Sequence, residues 1–366
     1  MRYADTVGVG VVPESYAGLV DGASRSLIPL SVGIELTGAC NLRCRHCYQI
    51  GHVRADGELD AGGWIGVLDA LVEAGTLFVT FTGGEVFTRP EALDVFEAAR
   101  ARGFAVRVFT NATLIDGAAA ERVARLKPLS VEVSVYSDEA GSHDSITGVP
   151  GSHARALSGI RMLIERGVLA VIKSPVMTVN ADRVGALVAL SERIGAELRL
   201  DLDIVCMDDG SRSPLDLRLD DAGLRAVLAE PWVRERFLRF DVERPEGPND
   251  ICGAARRTCA ISSSGEVYPC NQLTAESAGS LKEQTFGEIW QRSPVMQAVR
   301  EKRVFDLCEE CRLCPRLAYC GRCGAIALQE DGDYLGPSSW ACRVARAKES
   351  VRDAAGSAPE GGADEL

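Results

Sequence analysis

Three cysteines stand close together in the run Glu35-Leu-Thr-Gly-Ala-Cys40-Asn-Leu-Arg-Cys44-Arg-His-Cys47-Tyr48. Their spacing lets three thiolates reach one metal cluster from a single short loop. Four thiolates would saturate a [4Fe-4S] cubane and suit it to electron transfer, whereas three leave one iron open to a small chelating molecule. The chemistry on offer is therefore catalysis at an open iron, with a zinc knuckle as the other use of such thiols.

The whole chain holds thirteen cysteines in 366 residues, more than one cluster needs. In a reducing compartment so many thiols argue for metal or cluster ligation rather than for disulfides. The length gives room for two or three domains, and the charged and apolar fractions are those of an ordinary globular protein. A formal charge of -12 provides no electrostatic footprint for nucleic acid. No apolar run approaches the roughly 20 residues that cross a bilayer, and Met1 to Glu14 lacks the basic and apolar segments of a secretion signal. These features predict a cytoplasmic protein with neither a nucleic-acid nor a membrane partner, acting on a peptide or a small molecule.

Elements that would position the cysteine loop follow from periodicity. From Ser31 to about Val205, β-branched runs alternate with longer amphipathic stretches, the pattern of βα units around a parallel sheet. Six strands are expected, at Val32–Thr37, Leu77–Thr82, Phe104–Thr110, Val131–Tyr136, Leu169–Met177 and Leu198–Val205. Side-chain parity points Glu132, Ser134 and Tyr136 inward on the fourth strand, and Arg199, Asp201 and Asp203 inward on the sixth. Helices are expected at Glu91–Arg102 and from Gly151-Ser152 to about Arg166, the latter with Ser152 as N-cap. The expected organisation is an N-terminal extension over 1–30, an α/β domain over 31–208, a helical bridge over 209–250, a cysteine-rich domain over 251–346 and a disordered tail over 347–366.

The cysteine spacing followed by an aromatic residue resembles the signature of the radical S-adenosylmethionine (SAM) enzymes. The resemblance implies a partial (β/α)6 barrel, an open, TIM-like relative of the eight-stranded barrel with its chemistry at the carboxyl ends of the strands. It also implies that the open iron binds SAM, whose reductive cleavage gives a 5'-deoxyadenosyl radical. Thr82-Gly83-Gly84-Glu85 resembles the element that holds the methionyl amine of SAM. Glycines there let backbone approach a ligand, and a carbonyl or carboxylate accepts from an ammonium group. Asn111, Ser134 and Lys173 resemble positions that meet the SAM carboxylate and ribose, with barrel packing or capping as their other reading. Tyr48 would border the adenine or pack the cluster loop.

A second pattern occupies the C-terminal third: Cys252, Cys259 and Cys270, with a hairpin-like turn at Gly265, then Cys308, Cys311, Cys314, Cys320, Cys323 and Cys342. It resembles the SPASM domain, which binds two auxiliary [4Fe-4S] clusters. By that resemblance Cys252, Cys259, Cys270 and Cys323 hold one cluster, and Cys311, Cys314, Cys320 and Cys342 the other, making three clusters in all. The chain departs from the family pattern in the short Cys320-Gly-Arg-Cys323 spacing and in the extra thiol of Cys308, which could replace Cys311 or Cys314. Paired cysteines also suit zinc.

Cys206 is left outside these sets, at the expected end of the sixth strand. A thiol at the barrel mouth could donate a hydrogen atom to a substrate radical, but parity turns an even-numbered position outward and favours an inert buried cysteine. Asp203 is a candidate base, or an acid paired with Arg199. The implied function is modification of a ribosomally made precursor peptide by cross-link, oxidation or epimerisation. The rivals are an oxidoreductase or epimerase of a sugar, aminoglycoside or other small metabolite, and a cluster carrier without activity. An electron donor such as flavodoxin or ferredoxin is implied. About 30 residues before the first strand are too few for a peptide-binding domain, so a separate recognition protein would be required for a leader-bearing substrate.

Overall fold

The computed structural model describes residues 14–237 and 251–356. After helix α1 (Glu14–Ser26), six strands follow: β1 (Ser31–Glu35), β2 (Phe78–Thr82), β3 (Ala105–Thr110), β4 (Ser130–Ser134), β5 (Ala170–Pro175) and β6 (Glu197–Asp201). They pair in parallel in the order β6-β5-β4-β3-β2-β1. Parallel neighbours cannot be joined by a tight turn, so helical crossovers connect them. These are α2 (Ala61–Glu73), α3 (Ala92–Ala101), α4 (Gly117–Leu126), the pair α5 (Ala140–Thr147) and α6 (Ser152–Ile164), and α7 (Val184–Ile194). One face of each strand packs beneath the helices: Val32, Ile34, Val79, Phe81, Val131 and Val133 are fully buried, as are Trp64, Leu68 and Leu71 of α2. The opposite face forms the barrel interior and is polar. Glu132 of β4 accepts from Arg199 of β6 at 2.8 Å and pairs with Arg107 of β3 at 3.2 Å and Lys173 of β5 at 3.6 Å.

The barrel and the inward parity are as expected, and three details differ. β6 stops at Asp201 rather than Val205. Side chains take over its ladder there, with the Asp203 N–H donating to Asp201 Oδ1 at 2.9 Å and Arg218 Nε to the Ile204 carbonyl at 2.9 Å, as short polar groups do where they compete with a sheet. Gly151, not Ser152, is the N-cap of α6. Asp144 of α5 supplies the capping, accepting from Gly151 N–H at 2.5 Å and His153 N–H at 2.9 Å.

The third difference is the sheet's continuation. Beyond β1 come β7 (Thr258–Ile261), parallel to it with Val32 in register with Cys259, then β8 (Glu266–Tyr268) and β9 (Gly279–Ser280), both antiparallel. Gly265 turns the β7–β8 hairpin at φ +89°, a conformation glycine adopts without strain.

Two compact units result. The described parts of 2–218 and 250–302 form the barrel unit, so the first half of the cysteine-rich region is built onto the barrel sheet. It also contains α10 (Phe286–Arg292) and α11 (Pro294–Arg300), with α8 (Asp221–Ala229) and α9 (Pro231–Phe237) belonging to the second unit, made of the described parts of 219–249 and 303–366. Within that unit lie α12 (Glu309–Arg312), α13 (Gly324–Asp331) and α14 (Ser339–Gly356), and Arg343 of α14 pairs with Asp221 of α8 at 2.9 Å. α14 thus extends into the segment expected as a tail. Residues 357–366 of that tail, 238–250 of the expected bridge and 1–13 of the extension lie outside the described residues. Among the described residues no helix is long and apolar enough to cross a membrane.

Candidate active site

Cys40, Cys44 and Cys47 lie on the loop that leaves the carboxyl end of β1, the face on which (β/α) folds carry their chemistry. Main-chain bonds fasten this loop on two sides. Gly84 N–H donates to the Thr37 carbonyl and Glu85 N–H to the Ala39 carbonyl, both at 2.8 Å, while Arg43 and Arg45 N–H reach the Thr147 and Ile146 carbonyls at the end of α5. The first fastening requires Gly83-Gly84. A Cβ on Gly83, whose φ is +131°, would stand 2.4 Å from the Thr37 carbonyl oxygen, and one on Gly84 2.3 Å from that of Ala39. Beneath the loop, Glu58 accepts from Gly38 N–H at 2.7 Å and from the Thr37 hydroxyl at 3.0 Å.

The donor set fits an iron–sulfur cluster. Burial pushes the Cys44 thiol up to about 12, and the nearby charges of Cys47 and Cys40 add to the shift. Burial likewise raises Cys47 to about 11, and raises Cys40. Three thiols that oppose one another's ionisation are a poor set of free thiolates. They become a good one when metal ions supply the positive charge.

Glu85 is 1% exposed and accepts from the Thr110 hydroxyl and Asn111 N–H, each at 2.6 Å, and from Phe87 N–H at 3.1 Å. Burial raises its pKa against these three donors. The carboxylate therefore joins the end of β2 to the end of β3. Asn111 donates to Asn41 Oδ1 at 2.9 Å and accepts from Thr113 N–H at 2.9 Å, which ties the cluster loop to β3. Ser134 shares a side-chain hydrogen bond with Tyr136, whose hydroxyl lies 4.0 Å from Cys44 Sγ. Lys173, in register with Ser134, stands 4.0 Å over the Phe109 ring. Tyr48 donates to Glu35 Oε1 at 3.3 Å. Asp203 adjoins Asp201, whose carboxyl is raised by burial and by the Asp203 charge. Cys206 is 5% exposed and lies beyond the end of β6, not on it.

Two groups escaped the reading of the sequence. Glu35, the last residue of β1, is lifted to about 7 by burial and then by the Asp208 charge, against hydrogen bonds from Tyr48 and Gln49. Its inward parity with Ser31 and Gly33 was a usable signal. His46, between two of the cysteines, meets the Tyr136 ring edge-on at 4.7 Å. Burial lowers it to about 4 and keeps it neutral.

Among the later cysteines, Cys252, Cys259 and Cys270 belong to the barrel unit and Cys308 onward to the other. Cys259, on β7, is buried; burial raises its pKa and the Arg300 charge opposes the rise. In the second unit Cys311 is pushed up to about 12 by burial, by a side-chain bond with Cys308 and by the Cys308 and Cys342 charges. Cys320 is raised by burial and by Cys342 and Cys314. The thiolate charges that act on Cys311 and Cys320 thus come from Cys308, Cys314 and Cys342, with Cys308 among the neighbours of the second set. Cys323 is the N-cap of α13.

A family model for the radical SAM superfamily matches residues 34–190, and one for the SPASM iron-sulfur cluster-binding domain matches residues 252–315. An AdoMet-dependent heme synthase of Methanosarcina barkeri is 27% identical over 333 residues, covering 84% of this chain and 94% of the relative. The mycofactocin maturase MftC of Mycobacterium ulcerans is 28% identical over 299 residues, covering 77% of this chain and 80% of the relative. Among solved structures, Streptococcus suis SuiB bound to precursor peptide SuiA matches with a TM-score of 0.69 at 17% identity, over 90% of this chain and 80% of that one, a likeness of fold. The cysteine loop at the barrel mouth, the glycine turn fitted to it and the two family matches agree: residues 34–190 form a radical SAM region and residues 252–315 match the SPASM iron–sulfur cluster-binding domain.

Proposed function

We propose that the protein reductively cleaves SAM and modifies a ribosomally made peptide by abstracting a hydrogen atom from it. The observation that carries this reading is the three-cysteine loop strapped to the Gly83-Gly84 turn by two 2.8 Å main-chain bonds. Cys40, Cys44 and Cys47 would hold a [4Fe-4S] cluster with one open iron, which supplies the electron that splits SAM when both are bound. With the Glu85 carboxylate engaged by Thr110, Asn111 and Phe87, main-chain carbonyls of the glycine turn are the acceptors for the methionyl amine. Tyr48 would border the adenine, with Asn111, Ser134 and Lys173 on the carboxylate and ribose side. Asp203 and Cys206 stand as the candidate proton and hydrogen-atom donors or acceptors. Two further clusters would draw their ligands from Cys252, Cys259, Cys270, Cys311, Cys314, Cys320, Cys323 and Cys342, with Cys308 available as a further thiol. A flavodoxin or ferredoxin would provide electrons, and a separate protein would present a leader-bearing peptide.

The peptide substrate is supported by the likeness to a mycofactocin maturase and to a fold that binds a precursor peptide. A second reading, oxidation of a small molecule, is favoured by the heme synthase match, which spans 94% of that relative. The test is anaerobic reconstitution with iron and sulfide, followed by SAM and dithionite. The expected result is about twelve irons per chain, four for each cubane, and 5'-deoxyadenosine that disappears when Cys40, Cys44 and Cys47 are all replaced by alanine. Full iron without 5'-deoxyadenosine would overturn the radical assignment. Deuterium transfer into 5'-deoxyadenosine from labelled candidate peptides or from labelled porphyrins then separates the two substrate readings.

A further inference from the structure

In the barrel unit, arginines grip the loop that carries the first auxiliary cysteines. Cys252 and Cys259 bracket a turn in which Ala255 adopts φ +57°. Ala255 N–H is shared between the Thr258 carbonyl at 2.9 Å and the Pro269 carbonyl at 3.1 Å, so the turn is tied to the residues just before Cys259 and Cys270. Arg300, the last residue of α11, is 7% exposed and donates Nε to the Ala255 carbonyl at 2.5 Å. Arg256, 9% exposed, donates in return to the Arg300 carbonyl at 3.0 Å. The Trp290 ring of α10 covers the Arg300 guanidinium at 4.6 Å. A cation is thereby fixed beside the cysteine turn and largely out of water.

Charge at this place has a specific effect. A guanidinium keeps its proton in any folded protein, and a [4Fe-4S] cluster gains one negative charge when it is reduced. A fixed positive charge in low-dielectric surroundings favours the more negative state, and it does so more strongly than the same charge in water. Net charge and hydrogen bonding are among the levers by which a protein sets a cluster's potential. We propose that Arg300 raises the reduction potential of the auxiliary cluster held by Cys252, Cys259 and Cys270. The inference rests on the reading that a cluster occupies these cysteines.

The test compares full-length reconstituted wild type with Arg300→Met and Arg300→Lys by potentiometric titration followed by EPR, with and without SAM, and counts iron in every sample. The SAM-binding cluster is identified by its response to SAM. The expected result is equal iron in the three proteins and, in Arg300→Met, one midpoint among the SAM-insensitive signals lowered by at least 59 mV, a tenfold change in the one-electron equilibrium. Arg300→Lys, which keeps the charge but loses the fork and the Nε bond, moves less than half as far. Unmoved midpoints at full iron overturn the inference, as do equal shifts in the two variants, which would signal a lost fit rather than a lost charge. Should Arg300→Met lose about four irons, one cubane, Arg300→Gln, which removes the charge and keeps a side-chain donor, is titrated in its place. A lowered midpoint there upholds the inference and an unchanged one overturns it. About four irons in the wild type would overturn the three-cluster reading, whereas full iron with unmoved midpoints removes only the role of Arg300.

Discussion

Glu35 ends β1 with the Tyr48 hydroxyl 3.3 Å from its carboxylate, and Asp208 adds a second negative charge nearby. Burial and the Glu35 charge hold the Tyr48 phenol well above its ordinary value, so the tyrosine remains a donor. With its pKa raised from 4.5 to about 7, Glu35 binds a proton more tightly in the folded protein than in the unfolded chain. Stability then falls as pH rises between these values, because the unfolded chain sheds its proton first, and the whole penalty is present above pH 7. Glu35→Gln, which keeps a neutral side chain at every pH, should therefore stabilise the protein at pH 8 by on the order of 3 kcal/mol and by much less at pH 5. Urea unfolding of both proteins at the two pH values checks this; an equal difference at both would exclude Glu35 as the titrating group. The cysteines were legible because ligand spacing is local. Glu35 was not, because the Asp208 charge that adds to its shift comes from far along the chain, and only the folded loop brings Tyr48 back onto it. Gly-Gly-Glu was found, yet the task of its carboxylate emerged only when Thr110 and Asn111 came within 2.6 Å.

Parity on β4 and β6 placed Glu132, Arg199 and Asp201 inside the barrel, and the structure agrees because alternation is a property of each strand by itself. What alternation cannot supply is the partner across strands. Arg199 donates to Glu132 at 2.8 Å, a partner that alternation along one strand does not name, since Arg199 sits beside Lys173 in register and Lys173 beside Ser134. The fully buried Glu132 side chain thus links β3, β4, β5 and β6 through three cations whose side chains are 13%, 34% and 17% exposed. Removing its charge strands those cations in the barrel. Glu132→Gln is expected to cost on the order of 3 kcal/mol, the scale for breaking a buried pair, with the partial exposure of Lys173 keeping it from the upper end. Thermal unfolding measures it, and a change below about 1 kcal/mol, the worth of a surface pair, would show that the cations find water or other acceptors. The length of β6 was misread for a related reason: its β-branched and leucine run favours a strand, but side-chain bonds from Asp201 and Arg218 end the ladder early.

Clustering of cysteines made 251–346 look like one domain, because a run of metal ligands is visible in sequence while strand pairing across more than 200 residues is not. In the folded chain Thr258–Ile261 pairs with Ser31–Ile34, Ile261 is fully buried, and Cys259 and Ala260 are nearly so. β1 is consequently an interior strand of a nine-stranded sheet and not the edge of a six-stranded one. Its sequence suits that position: it is short, with Val32 and Ile34 fully buried, and it carries none of the lysine, proline or bulge by which exposed edges avoid pairing with other chains. A chain ended after Arg218 would expose this edge, whereas one ended after Lys302 would keep β7, β8 and β9 in place. The shorter chain should aggregate, and the longer one should remain soluble with its barrel intact, as judged by size-exclusion chromatography and circular dichroism after parallel expression. A monomeric, folded 1–218 would mean that the six parallel strands close their own core and that β7 contributes ligands without supporting the barrel. Aggregation of both would point instead to α8 and α9, whose buried Leu224, Val227 and Leu228 lose α14 of their own unit when the chain ends at Lys302.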